Sequence, residues 1–230
     1  MKLMELLVNK VLICKKNAKT STVNVNTIIF DLGGVIINLD YNRTANAFKE
    51  LGVEEFDVIY SQKKQERLFD DFEKGSVSPE QFRTVLKQYI NKPVFDLEID
   101  RAWNAMLLDI PVEKMELLNQ LRNKYRIFLL SNTNIIHVKA FTAIVENAYG
   151  LNAFEKVFEK VYYSCFLNMR KPDKEIFELV INENKLNKEE TVFIDDSLQH
   201  VEGALRTGIH GIHLTNTNSL QELLKQILVD

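Results

Sequence analysis

The feature that most constrains this chain is a short apolar run that ends in one aspartate, Asp31, followed within three residues by Gly33 and Gly34. A continuous apolar run of this kind is typical of a strand buried on both faces, as in parallel sheets. We predict a first strand over about residues 27–36, with Asp31 at the carboxyl end of its leading apolar segment. Open α/β sheets bind ligands at that edge, so Asp31 is either a turn cap or a catalytic carboxylate.

After Pro111 the pattern alternates between amphipathic helices and short apolar runs. The apolar runs predict four further strands, at about residues 126–130, 161–164, 191–194 and 209–214. Strands that alternate with helices are connected by crossovers, and crossovers produce a parallel sheet. The fold class is therefore α/β, with a predominantly parallel sheet.

The segment between the first two strands has helical periodicity and no good strand. Ser78 followed by Pro79 and Gln81 is a helix start signal, with Ser as N-cap and Gln in the capping-box position. A further helix is predicted over residues 96–108. We accordingly divide the chain into an N-terminal extension (1–24), a core domain (25–41 and 109–230) and a helical insert (42–108).

The overall charge and the cysteine content exclude several classes of protein. The 230 residues carry a net charge of -3, so no basic surplus points to nucleic acid, and an anionic substrate must be held locally. Cys14 and Cys165 do not form a disulfide framework, which favours a reducing compartment. No segment has the roughly 20 apolar residues that cross a membrane. We predict a cytoplasmic protein and interpret residues 1–24 as an extension rather than an export signal.

Four polar clusters follow four of the predicted strands: Asp31, Ser131-Asn132, Lys171 and Asp195-Asp196. Each cluster alone has an ordinary explanation as a helix cap or a solvated charge. In a parallel sheet, however, all four strand ends lie at one edge. Together they supply a nucleophile, anion donors, a cation and a divalent-metal site.

This combination of side chains suits phosphoryl transfer, which depends on positioning and charge neutralisation. A carboxylate such as Asp31 can act as nucleophile and form an aspartyl-phosphate. Mg²⁺ bound by carboxylate and carbonyl oxygens would shield it from the phosphate, and Lys171 would neutralise both groups. Ser131 and nearby backbone N–H groups would hold the phosphate.

The order of these motifs resembles the haloacid dehalogenase (HAD) superfamily, in its magnesium-dependent phosphatase branch. The resemblance covers about residues 27–214 and is most similar to the bacterial α-D-glucose-1-phosphate phosphatase subgroup. It rests on five segments: Phe30–Gly33, Leu39–Arg43, Ser131–Asn134, Met169–Pro172, and Asp195-Asp196 with Val201–Ala204. It implies a Rossmann-like parallel sheet, with residues 42–108 as an α-helical cap domain.

The resemblance also implies a role for each motif residue. Asp31 would be the nucleophile, and Ser131, Asn132 and Lys171 would bind phosphate. Mg²⁺ would be bound by Asp31, the Gly33 backbone carbonyl and Asp196, with Asp195 as a direct ligand or one acting through water. The substrate would be a small phosphorylated metabolite such as a sugar phosphate.

Two positions depart from the usual HAD phosphatase pattern. Most members have a second aspartate two residues after the nucleophile, as general acid and base, and this chain has Gly33 there. Such proton transfer contributes about 10²–10⁴-fold in rate. Its absence fits a substrate with an easily expelled leaving group, such as a sugar 1-phosphate, a substitute carboxylate such as Asp40, or a slow enzyme. The second departure is His200, where many members have asparagine.

Several other polar or aromatic residues are candidates. Arg43, Trp103 and Asn104 lie at the two ends of the insert and could contact substrate at the active edge. Trp103 is also suited to core packing, and Arg43 to a surface ion pair. We expect His137 on an exposed helix face, and His210 and His213 in structural roles.

Competing functions remain open from the residues alone. A 2-haloacid dehalogenase also uses a nucleophilic aspartate, but it needs no metal, so the Asp195-Asp196 pair argues against it. A non-catalytic phospholigand-binding module is favoured only by Gly33. The leading prediction is a Mg²⁺-dependent phosphatase.

Overall fold

We describe a computed structural model, which covers residues 24–53, 56, 66–215 and 219–228. The N-terminal extension predicted over residues 1–24 lies outside this range except for its last residue. Five strands form one sheet: β1 (Thr27–Phe30), β2 (Arg126–Ser131), β3 (Lys160–Tyr163), β4 (Thr191–Asp195) and β5 (His210–His213). All neighbouring strands are parallel, in the order β3-β2-β1-β4-β5. This confirms the predicted α/β fold with a parallel sheet.

Helices cover both faces of the sheet. The described helices are α1 (Tyr41–Glu50), α2 (Glu66–Glu73), α3 (Pro79–Lys87), α4 (Asp96–Asn104), α5 (Val112–Leu121), α6 (Ile135–Tyr149), α7 (Lys174–Glu183), α8 (Leu198–Leu205) and α9 (Leu220–Ile227). Apolar residues of α5, α6 and α9 pack on one face, and those of α7 and α8 on the other. Within the described residues, no helix is long and apolar enough to cross a membrane.

The central strand β1 is apolar throughout because both of its faces are buried. Ile28 and Phe30 pack in the cluster that contains α5, α6 and α9, whereas Ile29 packs in the opposite cluster. All three side chains are 0% exposed. Successive side chains of a strand point to opposite faces, so a strand between two helical layers needs apolar residues at every position.

The first strand is shorter than the predicted range of 27–36, because β1 ends at Phe30. The backbone N–H groups of Ile36 and Ile37 both donate to the Leu32 carbonyl oxygen, at 2.9 Å, and this closes a turn. Gly34 has a φ of +70°, which a strand does not contain. The residues after Asp31 are apolar because the turn itself is buried, so hydropathy overestimates the length of the strand.

The helices α1 to α4 lie between β1 and β2 in the sequence, and their described residues supply most of a further hydrophobic cluster. Phe48, Phe72, Phe82 and Trp103 are among the buried members of that cluster. The predicted capping box at the start of α3 is present, whereas α4 ends at Asn104, before the predicted residue 108.

The two connections between the insert and the sheet lie side by side. Asn38 N donates to Asp109 O at 2.9 Å, Leu108 N donates to Asn38 O at 3.1 Å, and Asp40 N donates to Met106 O at 2.9 Å. This pairing anchors the insert directly above the carboxyl end of β1.

Candidate active site

Asp31, Lys171 and Asp195 meet at the carboxyl ends of the central strands. The Lys171 Nζ donates to Asp31 Oδ1 at 2.6 Å, to Asp195 Oδ2 at 2.7 Å and to the Leu130 carbonyl at 2.9 Å. These three acceptors use all three ammonium protons. The lysine side chain is 0% exposed, so its charge depends entirely on these partners.

The electrostatics of this group leave negative charge in excess, since two carboxylates face one ammonium. Burial lowers the pKa of Lys171, but Asp195 and Asp31 more than offset this, so its pKa lies above the ordinary value. Burial raises the pKa of Asp31 to about 7, against the opposing attraction of Lys171. Although burial has the opposite effect, Lys171 and His200 hold the pKa of Asp195 well below its usual range. A further cation would relieve this imbalance.

A third carboxylate, that of exposed Asp196, completes a candidate metal site. One oxygen from each of Asp31, Asp195 and Asp196 lies within 4.8 Å of the others. A Cβ on Gly34 would lie 2.3 Å from Asp196 Oδ2, so only glycine allows the loop to approach this carboxylate. Three clustered carboxylate oxygens match the donor preference of Mg²⁺, and these residues therefore fit the ion.

His200 and Ser197 fix the orientation of Asp195. The Ser197 backbone N–H donates to Asp195 Oδ1 at 2.7 Å, and His200 Nδ1 lies 3.0 Å from Asp195 Oδ2. The histidine that departs from the usual family pattern therefore supports a carboxylate of the metal site from behind.

Asn132 holds the backbone that carries Lys171. Its Oδ1 accepts from the Lys171 backbone N–H, and its Nδ2 donates to the Lys171 carbonyl, both at 2.9 Å. Asn132 and Ser131 also line the cavity above the sheet edge, beside Gly33. The structure thus brings the sequence-predicted residues of all four motifs to one place.

A cavity of about 100 Å³ lies between the sheet edge and the insert. The insert and its connections contribute mainly apolar and aromatic side chains, with one carboxylate. These residues are Tyr41, Glu73, Trp103, Met106 and Leu107. A space of this size suits the organic part of a small molecule.

Trp103 and His137 join the insert to the core beside this cavity. Trp103 is 4% exposed and packs against Phe69 and Phe82, and it also lines the cavity. The His137 ring stacks on Trp103 at a centroid distance of 4.9 Å, and its Nε2 donates to the Trp103 carbonyl at 3.1 Å. Burial lowers the pKa of His137 to about 4. The prediction that His137 is surface-exposed is therefore wrong, because the first turn of α6 faces the insert.

The residues that line the cavity include neither the charged cluster of Asp31, Lys171, Asp195 and Asp196 nor three further candidates, Arg43, Asp40 and Asn104. The Arg43 side chain is 62% exposed and lies 3.5 Å from Asp40 in an ion pair. It follows Tyr41 by two residues, which is about 200° around a helix, so the two side chains point apart. Asp40 caps α1. Asn104 does not line the cavity, and its buried Oδ1 has no hydrogen-bond partner among the described residues.

Glu73 lines the cavity but was not predicted from the sequence. It ends an acidic stretch of α2 that also contains Asp70 and Asp71, and such a stretch is typical of a solvated helix face. Its contact with the cavity comes from the packing of α2 against the core, which no local pattern encodes.

Comparison with known proteins agrees with this geometry. Residues 25–208 match the family model of haloacid dehalogenase-like hydrolases. A HAD family enzyme from Bacteroides thetaiotaomicron, solved with magnesium and inorganic phosphate, superimposes with a TM-score of 0.77 at 37% identity. The match covers 86% of this chain and 98% of that one.

Two curated relatives are phosphatases. A D-ribitol-5-phosphate phosphatase from Bacteroides thetaiotaomicron is 28% identical over 89% of this chain and 98% of its own length. A sesquiterpene phosphatase from Aspergillus oryzae is 27% identical over 87% of this chain and 95% of its own length. On the family match and the shared fold, this chain belongs to the haloacid dehalogenase-like hydrolases.

Proposed function

We propose that this protein is a Mg²⁺-dependent phosphatase that hydrolyses a small phosphorylated metabolite, in particular a sugar or polyol phosphate. The observation that carries the proposal is the buried contact of Asp31 with Lys171, next to Asp195 and Asp196. The phosphatase relatives and the magnesium-phosphate complex of a similar enzyme support it. Glucose 1-phosphate, suggested by the sequence resemblance, is one candidate substrate beside ribitol 5-phosphate.

Four groups would hold the metal ion: the carboxylates of Asp31, Asp195 and Asp196 and the backbone carbonyl of Gly33. When bound, Mg²⁺ supplies positive charge that offsets the repulsion between the nucleophile and the phosphate. The excess of carboxylates over ammonium groups at this edge fits that purpose.

In the proposed reaction, an Asp31 carboxylate oxygen bonds to phosphorus while the bond from phosphorus to the alcohol oxygen breaks, giving an aspartyl-phosphate. The departing alkoxide takes its proton from water. Water then attacks phosphorus, which releases inorganic phosphate and regenerates Asp31. Lys171 favours the ionised form of Asp31 by donating a hydrogen bond, and it would neutralise the phosphoryl oxygens. Ser131 and Asn132 would hold those oxygens, because both line the cavity beside Gly33, two residues after the nucleophile.

Gly33 leaves the usual acid/base position without a side chain. A Cβ there would lie 2.8 Å from Leu39 Cδ1, so Leu39 occupies space that an aspartate would need. This favours an alcohol that leaves with little help from a proton donor, as the anomeric hydroxyl of a sugar 1-phosphate does. Asp40 caps α1 and forms an ion pair with Arg43, and these contacts argue against it as a substitute.

We further propose that the insert, residues 42–108, acts as a cap that keeps bulk water from the site. A dehalogenase from this superfamily is the alternative function. Three dehalogenase structures similar to this chain are 17–19% identical, so they bear on the fold alone. The cluster of three carboxylates favours the metal-dependent phosphatase.

The test is phosphate release from ribitol 5-phosphate, glucose 1-phosphate and p-nitrophenyl phosphate, with Mg²⁺ or with EDTA. We expect Mg²⁺-dependent release that falls by at least about 10³-fold in Asp31→Asn. Asp40→Asn, nearby but outside the cavity, is the matched control and should stay near wild type. Release that persists in EDTA or in Asp31→Asn would contradict the proposal, as would turnover of 2-haloacids alone.

A further inference from the structure

The proposed mechanism leaves one charged group of the cavity without a role. Among the described residues that line it, Glu73 is the only acidic one. It lies at the end of α2, on the insert side, in the same cavity as Gly33, Ser131 and Asn132. Its side chain is 27% exposed, so this carboxylate is neither a core group nor a free surface charge.

The two oxygens of the Glu73 carboxylate differ in their surroundings. Oε2 accepts from Arg170 Nη2 at 2.8 Å and from Arg170 Nε at 3.1 Å. Oε1 receives no hydrogen bond from any described residue. Arg170 also lies 2.8 Å from Asp70 Oδ1, so it bridges two acidic residues of α2. One oxygen is thus held by Arg170, and the other has no hydrogen-bond donor among the described residues.

The position of Glu73 is set by close contact between α2 and the loop after β3. Ser164 Oγ lies 2.6 Å from the Glu73 carbonyl oxygen. Gly75 has a φ of +77°, and a Cβ there would lie 2.2 Å from the Cys165 carbonyl oxygen. The backbone of α2 at Glu73 is therefore held against the core beside the cavity that this residue lines. A fixed backbone position supports recognition of a particular hydroxyl.

The charges around Glu73 decide which ligands it accepts. Burial raises the pKa of its carboxyl, Arg170 opposes this shift, and Asp70 and His200 contribute smaller effects of opposite sign. A carboxylate in a small cavity repels any second anionic group of a substrate. It favours a hydroxyl donor, because a partly buried acceptor without a partner costs free energy.

We propose, on the basis of the phosphatase function above, that Glu73 Oε1 accepts a hydrogen bond from a hydroxyl of the substrate's alcohol portion. Glu73 then makes the enzyme selective for phosphomonoesters whose alcohol portion is polyhydroxylated and uncharged. It disfavours phosphates of apolar alcohols, which leave Oε1 unpaired, and bisphosphates, whose second charge it repels. A site built to bind a hydroxyl rejects the analogue without it much more strongly than a purely apolar pocket does.

The experiment compares ribitol 5-phosphate with pentyl phosphate, which has the same chain length without hydroxyls, and with p-nitrophenyl phosphate. In Glu73→Ala, we expect kcat/KM for ribitol 5-phosphate to fall about 10–100-fold, with the other two substrates changed less than about threefold. Glu73→Gln retains an acceptor oxygen and should restore part of the loss. Asp71→Asn, which removes a charge from the same helix, is the control.

Each contrary result has its own reading. An equal loss of activity on all three substrates would overturn the proposal. A loss on ribitol 5-phosphate and pentyl phosphate that spares p-nitrophenyl phosphate would also overturn it, because that pattern would indicate that Glu73 acts as a proton donor. If the wild-type enzyme showed Mg²⁺-dependent hydrolysis but did not prefer ribitol 5-phosphate over pentyl phosphate, the role of Glu73 would be overturned and the phosphatase function would stand. Absence of all hydrolysis would contradict the phosphatase function itself.

A binding measurement tests the recognition without turnover. Calorimetry with Mg²⁺-loaded Asp31→Asn should give tighter binding of ribitol 5-phosphate than of pentyl phosphate. Adding Glu73→Ala to that variant should abolish the difference. An unchanged difference would overturn the role of Glu73.

Discussion

The two walls of the active-site cavity are built in different ways. The sheet edge presents polar residues that follow directly after strands, among them Ser131 and Asn132. The opposite wall comes from the insert and its connections, and apart from Glu73 it is mainly apolar. Under the proposed function, the sheet edge would carry the chemistry, and the insert wall, whose position depends on helix packing, would set the selectivity.

Strand register explains why the sheet edge is so well defined. Phe30 of β1 is paired with both Ile194 of β4 and Leu129 of β2. The residues that follow these three are Asp31, Asp195 and Leu130, and they lie at the same height along the sheet. Asp31 is therefore placed beside Asp195 and beside the Leu130 carbonyl. A change at this edge should affect every substrate, whereas a change in the insert should affect some substrates more than others.

The largest expected effect comes from removing the cation of the sheet edge. In Lys171→Met, Asp31 and Asp195 would remain buried side by side without their shared partner. We expect the free energy of unfolding to fall by about 3–5 kcal/mol without metal, since breaking a buried ion pair leaves an uncompensated charge. We also expect activity to be lost on all substrates, p-nitrophenyl phosphate included. Urea denaturation and phosphate release measure the two effects.

A double variant separates charge from packing at this position. Lys171→Met combined with Asp31→Asn removes one carboxylate as well, so it should recover part of the lost stability. A loss of stability that is the same in the single and the double variant would show that packing, rather than charge, makes Lys171 important.

Two neighbouring glycines give a smaller and more selective test of the sheet edge. Gly34→Ala is strained at a φ of +70° and brings its Cβ to 2.3 Å from Asp196 Oδ2, so Asp196 must move. We expect the affinity for Mg²⁺ to fall about 10–100-fold, as when the positioning of a metal ligand is lost. Gly33→Ala meets only the end of the Leu39 side chain, and its affinity for Mg²⁺ should change little.

Mg²⁺ titration of phosphatase activity compares these two variants directly. Equal losses in both would contradict the assignment of Asp196 as the ligand that Gly34 accommodates. A loss confined to Gly33→Ala would place the critical close contact on the Leu39 side instead.

The sequence predicts the sheet-edge wall of the cavity better than it predicts the insert wall. The strand-end residues could be placed because buried parallel strands are locally recognisable and their carboxyl ends share an edge. The length of β1 could not be predicted, because the buried turn after Asp31 is as apolar as a strand. Glu73 and Arg170 are 97 residues apart, and His137 and Trp103 are 34 apart. Local periodicity does not indicate which distant segment a helix face contacts. The contacts of Glu73 with Arg170 and of His137 with Trp103 were therefore not predicted.

The smallest expected effect is the pH dependence of stability that comes from His137, which packs between the core and the insert. Its pKa is lowered to about 4 by burial, against 6.5 for an exposed histidine, so the unfolded chain binds a proton more readily than the folded one does. Its contribution to stability is therefore complete above pH 6.5 and is lost as the pH falls from 6.5 towards 4.

Between pH 7 and pH 5 this histidine should reduce the free energy of unfolding by about 1–2 kcal/mol, an effect that His137→Gln should remove. Because the ring stacks on Trp103 of the insert, the wild type should lose selectivity between ribitol 5-phosphate and pentyl phosphate as the pH falls. The alcohols released from the two substrates have similar acidity. The ratio of their kcat/KM values therefore reports contacts with the insert wall rather than the chemical step. A ratio that is constant with pH, while stability falls, would show that the insert wall keeps its shape without a neutral His137 and that this contact serves stability alone.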